Sequence, residues 1–189
     1  MNKRLNDSKL LKICVAAMFA ALICVATMLI RIPSPIGGYV NFGDCFIIVA
    51  AFVLGPYYGF AAGAIGSAMA DALAGYMQYV PGTFVIKGLI ALAAALIANA
   101  LFKKTTHRVL AYTVGALVGE IIMAGGYYLF EATLLGYGFA GAFAGVFGNC
   151  VQGLFGVVLG VVLIEVLSKT KVLSKIGAFG YSIQEKGSL

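Results

Sequence analysis

The chain has 189 residues, of which 62% are hydrophobic and only 11% charged, and its mean hydropathy is +1.01. Ordinary soluble domains carry about a quarter charged residues, so this chain lacks the polar surface to cover a water-facing globule, and soluble, disordered and fibrous classes are excluded. The formal charge of +6 comes from 13 Lys and Arg against 7 Asp and Glu. These basic residues lie almost wholly between apolar runs, where they set orientation in a membrane and build no nucleic-acid surface.

In chain order, a basic N-terminus (Lys3, Arg4, Lys9, Lys12) leads into an apolar run from Ile13 to Ile30. The run is too long for a signal-peptide core and lacks a clear small-residue cleavage site, so it is read as a retained first span over 11–30. Further spans are predicted at 83–102, 109–131 and 143–167. The stretch 44–74 is either one bent helix or two spans, 44–55 and 57–74, broken at Gly55-Pro56, where proline removes a backbone donor and restricts the preceding residue. Charge decides between them. With two spans there are six in all, and Lys3, Arg4, Lys9, Lys12, Lys103, Lys104, Arg108, Lys169, Lys171, Lys175 and Lys186 share one side, which is 11 of the 13 basic residues. With one span, Lys103, Lys104 and Arg108 would move outside, against the positive-inside bias.

The expectation is therefore an all-α, single-domain membrane protein over 1–189, with six helices, both termini cytoplasmic and a short cytoplasmic tail over 169–189. Helix 2 is short enough to be tilted or only partly spanning. All four prolines (Pro33, Pro35, Pro56, Pro81) are placed in connections.

Several chemistries lack material. A Walker-type phosphate loop requires Gly-Lys, which occurs nowhere in the chain. Gly136-Tyr-Gly138-Phe-Ala-Gly141 matches GxGxxG, but no strand precedes it and no βαβ helix follows, so it is a chance match. The single histidine, His107, sits in a basic loop, leaving nothing for triads, zinc motifs or paired haem ligands. Cys14, Cys24, Cys45 and Cys150 all lie in apolar stretches without CxxC spacing and are read as small core residues. No metal or cofactor is expected.

An ionisable group in a bilayer costs about 2.5–3.5 kcal/mol on insertion scales, so each is a functional candidate. In the orientation above, Asp44 opens helix 2 from outside, Asp71 lies near the outer end of helix 3 and Lys87 about one turn into helix 4. Glu120 is near the middle of helix 5, Glu131 at its outer end, and Asn149 and Gln152 are roughly 9–14 Å into helix 6. Glu120, Tyr127 and Glu131 are spaced 7 and 4 apart and share one face, as do Asn149 and Gln152, 3 apart. The connections 32–43, with Tyr39 and Asn41, and 75–84, with Tyr76 and Gln78, supply aromatics, amides and glycines over the same end. The pattern is that of a capped pocket for a small polar-aromatic molecule.

Structural roles stand beside the functional ones. Asp44 is equally an N-cap, Lys87 a neutraliser of Asp71 or Asp44, and Glu131 an exposed helix-end charge. Glu120, Asn149 and Gln152 also suit interhelical hydrogen bonding, and Tyr57 and Tyr58 an inner aromatic belt. Ala16, Ala17, Ala20 and Ala21 form two overlapping AxxxA pairs on helix 1, and Gly59, Gly63, Ser67 and Gly156, Gly160 form similar strips on helices 3 and 6.

Six short spans, the strip Ala16-Ala-Met-Phe-Ala-Ala21 and the segments Asn41-Phe-Gly-Asp44, Leu54-Gly-Pro-Tyr-Tyr-Gly59, Ala70-Asp71, Gly75-Tyr76 and Pro81-Gly-Thr-Phe-Val-Ile-Lys-Gly88 resemble the substrate-binding S components of energy-coupling factor (ECF) transporters. The 41–88 block is the specific part of the likeness. What the resemblance implies is a multi-pass protein of a prokaryotic plasma membrane that captures a vitamin or precursor outside, assisted by the connection between helices 1 and 2. Its partners would be a transmembrane coupling subunit and two cytoplasmic ATPases, so the chain itself is no enzyme. The helix 1 strip (Ala16, Ala17, Ala20, Ala21) would dock on the coupling subunit. The family's pocket, between helices 4, 5 and 6 under the first loop, maps onto Lys87, Glu120, Tyr127, Asn149 and Gln152. Tyr39, Asn41 and Glu131 join them as candidate contacts, and Asp44, Asp71, Tyr76 and Gln78 are contacts or structural. The absence of a histidine-rich N-terminus speaks against metal ions, and the absence of Trp against a large stacking platform. Riboflavin or a pyridoxine- or hydroxymethylpyrimidine-like compound is the expected ligand. The alternative is a self-sufficient proton-coupled carrier in which Asp71, Glu120 and Glu131 relay protons.

Overall fold

The apolar runs and the breaks between them become six helices and one small hairpin in the computed structural model of the chain. The order is α1 (Asn2–Leu29), β1 (Arg31–Pro33), β2 (Tyr39–Asn41), α2 (Gly43–Leu54), α3 (Pro56–Leu73), α4 (Val80–Phe102), α5 (Arg108–Thr133) and α6 (Gly138–Ser168). The structure describes residues 2–34, 38–103, 107–170 and 173. The side chains of Lys3 and Arg4, together with Pro35, Lys104, Lys171, Lys175, Lys186 and nearly all of the 169–189 tail, lie outside the described residues.

Four helices, α1 from Lys9 onward, α4, α5 and α6, are long and apolar enough to cross a membrane. α2 is different in kind. Its 12 residues extend only about 18 Å at 1.5 Å per residue, and eleven of them are buried. A short helix that is apolar all round belongs in the middle of a bundle, and α2 packs against α1, α3, α4 and α6. Around it run the neighbours α1–α3, α3–α4, α4–α5 and α5–α6.

The Gly55-Pro56 break is the turn expected of it. Gly55 has φ 81°, a left-handed value that glycine adopts without a Cβ clash, and Pro56 starts α3. The backbone stays satisfied, because Gly55 N–H donates to the Ala51 carbonyl and Gly59 N–H to the Gly55 carbonyl, each at 2.9 Å. That matters where no water is at hand. α1 and α3 approach so closely that a Cβ on Gly66 would stand 2.4 Å from the Ala20 carbonyl oxygen.

The proline placement needs correction. Pro56 and Pro81 sit inside the first turns of α3 and α4, and Pro33 ends β1. A first-turn N–H has no intrahelical partner to lose, so proline is accepted there. For the same reason α4 starts at Val80 and not at 83. α1 extends back to Asn2, and α6 begins at Gly138, five residues ahead of the predicted 143. The hairpin between α1 and α2 was not foreseen: β1 and β2 pair antiparallel with Arg31 opposite Asn41, Ile32 opposite Val40 and Pro33 opposite Tyr39.

Candidate functional site

Polar groups that the sequence distributes over all six helices and the hairpin converge at one end of the bundle. At the centre, Lys87 Nζ of α4 lies 2.5 Å from Asp44 Oδ1 of α2, with both side chains almost wholly buried. Gln152 of α6 donates through Nε2 to Asp44 Oδ2 at 2.6 Å, and its Oε1 accepts the Asn41 N–H of β2 at 2.7 Å. Lys87 Nζ and Gln152 Nε2 also approach Met123 Sδ at 3.3 and 3.4 Å, and the ammonium stands 5.6 Å from the Tyr127 ring centroid. A buried ion pair is tolerated only when its remaining hydrogen-bonding capacity is filled; here both Asp44 oxygens are engaged. Asp44 is thus no N-cap. Phe42 holds that position without a side-chain bond, and of the two neutralising roles open to Lys87 the structure takes Asp44.

The hairpin closes over this network. Tyr39 donates its hydroxyl to Asp71 Oδ1 of α3 at 2.6 Å and its ring meets that of Tyr76 at 4.8 Å. Burial, and then the hydrogen bond to Asp71, hold the Tyr39 phenol above its ordinary pKa, so it remains a donor. From the 75–84 connection, Tyr79 donates to Glu131 Oε1 at 3.3 Å, and Thr83 Oγ1 lies 2.9 Å from the Tyr127 hydroxyl. Beneath these groups is a cavity of about 40 Å³ whose lining includes Tyr39, Asn41, Asp71, Lys87, Tyr127 and Glu131, with Asn149 and Gln152 from α6. Small-molecule pockets run to about 300–1,000 Å³. A guest of that size therefore requires the hairpin or the Tyr79 segment to move outward.

Not every candidate joins the cavity. Glu120 is 6% exposed and its two carboxylate oxygens have no hydrogen-bond partner among the described residues. It lies against Gly153 and Gly156, where an added Cβ would come within 3.2 Å of its oxygens, and it lines a separate groove of about 220 Å³ between α5 and α6. Asn149 lines both spaces and stands between them. Glu131 is buried, not an exposed helix-end charge. Tyr76 lies outside the cavity lining with its ring tilted 56° against that of Tyr39, and Gln78 is exposed and away from the lining. Sequence reasoning missed Thr27, Tyr79 and Thr83 as lining groups, and took Ser67 for a packing residue. For Thr27 and Ser67 a lone hydroxyl in an apolar helix was the signal; Tyr79 and Thr83 lie in the 75–84 segment expected over this end but were not singled out.

A second concavity lies between α1 and α3. It is apolar, about 630 Å³, and lined by Ala16, Ala17, Ala20 and Ala21 with Tyr58, Ile65 and Met69 among others. The alanine strip is split: Ala16 and Ala20 turn toward α3, while Ala17 and Ala21 are exposed.

Residues 7–169 match the family described as ECF-type riboflavin transporter, S component. An uncharacterised protein of Pyrococcus woesei is 39% identical over 150 residues, covering 78% of this chain and 95% of that protein. The thiamine precursor transporter HmpT of Lactococcus lactis subsp. cremoris (strain MG1363) is 27% identical over 174 residues, 91% of this chain and 96% of its own. A solved S component of a bacterial ECF transporter superposes with a TM-score of 0.62 at 20% identity, covering 83% of this chain and 95% of that one, and so shares the fold. With the match running through all six helices, the chain belongs to the family of S components of ECF-type transporters.

Proposed function

We propose that the chain captures a B-type vitamin or vitamin precursor, riboflavin or a pyridoxine- or hydroxymethylpyrimidine-like compound, beneath the β1–β2 hairpin and delivers it through an ATP-driven coupling module. As a member of this family it is a multi-pass plasma-membrane protein and a substrate-binding subunit of a transporter. The observation that carries the reading is the hairpin-capped polar cavity, with Tyr39, Asn41, Lys87, Tyr127, Glu131, Asn149 and Gln152 on its walls. A relative that transports a thiamine precursor supports the pyrimidine end of the range.

In this reading the hairpin faces outside, because the opposite ends of the helices carry Lys103, Arg108 and Lys169. The α1–α3 groove receives a helix of the coupling subunit, Ala17 and Ala21 allowing close approach. Energy comes from two partner ATPases. The test is to purify the chain in mild detergent, denature it, and identify any released compound by absorbance and mass spectrometry. One vitamin per chain is the expected result. An empty protein that binds none of a B-vitamin panel, yet transports in vesicles under a proton gradient without ATPases, would put the secondary-carrier reading in its place.

A further inference from the structure

Most polar groups around the cavity are spent on one another, and those that are not indicate what a guest must offer. Thr27 Oγ1 of α1 and Ser67 Oγ of α3 belong to residues that line the cavity and are 3% and 1% exposed, and neither has a hydrogen-bond partner among the described residues; the same holds of Glu131 Oε2. A buried hydroxyl or carboxylate oxygen left unpaired costs free energy comparable to a lost hydrogen bond. Such groups are stable features of a site whose ligand completes them. The ionisable side chains on the wall are Asp71, Glu131 and Lys87, and Lys87 is already committed to the buried Asp44. The wall therefore presents acceptors in excess, with no uncommitted cation among the described lining residues.

We propose that Thr27 and Ser67, on α1 and α3, are substrate-binding residues that together with Glu131 and Asp71 read the N–H- and O–H-bearing edge of an uncharged or cationic ring, and that the site rejects the phosphorylated form of the same compound. This rests on the vitamin-binding reading above. It adds to it a wall outside α4, α5 and α6, a polarity for the ligand edge, and a sign of charge. A phosphate ester would bring a dianion into a water-poor space beside two carboxyl groups, Asp71 and Glu131, with no uncommitted cation among the described lining residues to pair with it, and an unpaired buried charge is strongly unfavourable. An amino or hydroxymethyl substituent would instead donate to Glu131 Oε2 and exchange hydrogen bonds with the two hydroxyls.

The experiment is calorimetric titration of the full chain in detergent with hydroxymethylpyrimidine, pyridoxine and riboflavin, each alongside its phosphate ester. At least one free compound is expected to bind, with its ester at least about 100-fold weaker, a difference of about 2.7 kcal/mol. Thr27→Val and Ser67→Ala are each expected to weaken binding of that compound about five- to tenfold, while Thr27→Ser, which keeps the hydroxyl, stays near wild type. Thermal unfolding of each variant separates loss of binding from loss of fold. A phosphate ester that binds as tightly as its free form, or hydroxyl-free variants that are folded and bind as wild type does, overturns the inference while leaving the vitamin-binding reading intact. If no compound of the panel binds wild type, that reading itself falls.

Discussion

The polar cavity and the α1–α3 groove lie on opposite sides of the same two helices and solve opposite problems. The cavity is about 40 Å³, enclosed and edged by carboxylates, a lysine, amides and hydroxyls. The groove is about 630 Å³, open and lined almost wholly by carbon. In water an apolar groove would tend to be covered, because burying its carbon lining is favourable, but lipid tails are as apolar as leucine, so in a membrane the groove confers no hydrophobic drive of its own. What it offers is shape: alanines let a helix backbone come close. The cavity offers directed hydrogen bonds in a place without competing water. Ser67 and Asp71 face one side of α3 and Ile65 and Met69 the other, so the same two turns of helix serve both.

If the two surfaces are separable, substitutions should sort by side. The largest effect is expected for Lys87→Met, which strands the buried Asp44 carboxylate and should cost about 3–5 kcal/mol of stability in detergent unfolding. The double variant Lys87→Met/Asp44→Asn should regain most of it; a double variant as unstable as the single one would mean that the pair does not set stability. Next, Ala21→Phe fills the groove and should abolish uptake in cells that carry the coupling module while leaving the isolated chain's affinity for its vitamin within about twofold. Equal loss of both would make the groove part of the internal packing. Asn149→Ala, on the cavity wall, should raise the dissociation constant about fivefold by removing one hydrogen bond, whereas Glu120→Gln, beyond that wall, should change it less than about twofold. The reverse order would move the binding site into the α5–α6 groove. Smallest of all, Gln78→Ala lies on neither surface and should shift stability by less than about 0.5 kcal/mol, measured as the thermal midpoint.

Much of this was legible in the residues. Six helices followed from apolar runs and from the side on which Lys103 and Arg108 must lie, and the helical phase of Tyr127 and Glu131 brought both to the cavity. Phase could not go further, because Glu120 shares their face yet sits about 10 Å farther down the helix at 1.5 Å per residue, level with Gly153 and Gly156 of α6. Depth along a neighbour is set by packing, not by periodicity within one helix. The hairpin escaped because its strands are only three residues long and carry Pro33, a residue that argues against strand. Thr27 and Ser67 escaped because a single hydroxyl in an apolar helix usually satisfies its own backbone; only the assembled bundle shows that these two do not.

The short central helix depends on its neighbours for its place in the membrane. α2 has 12 residues, fewer than the roughly 20 needed to cross a bilayer unaided, and it carries Asp44 at its start. The partners of that carboxylate come from later in the chain, Lys87 of α4 and Gln152 of α6. Alone, α2 would have neither the reach to span nor a counter-charge for Asp44; within the bundle α1, α3, α4 and α6 supply both.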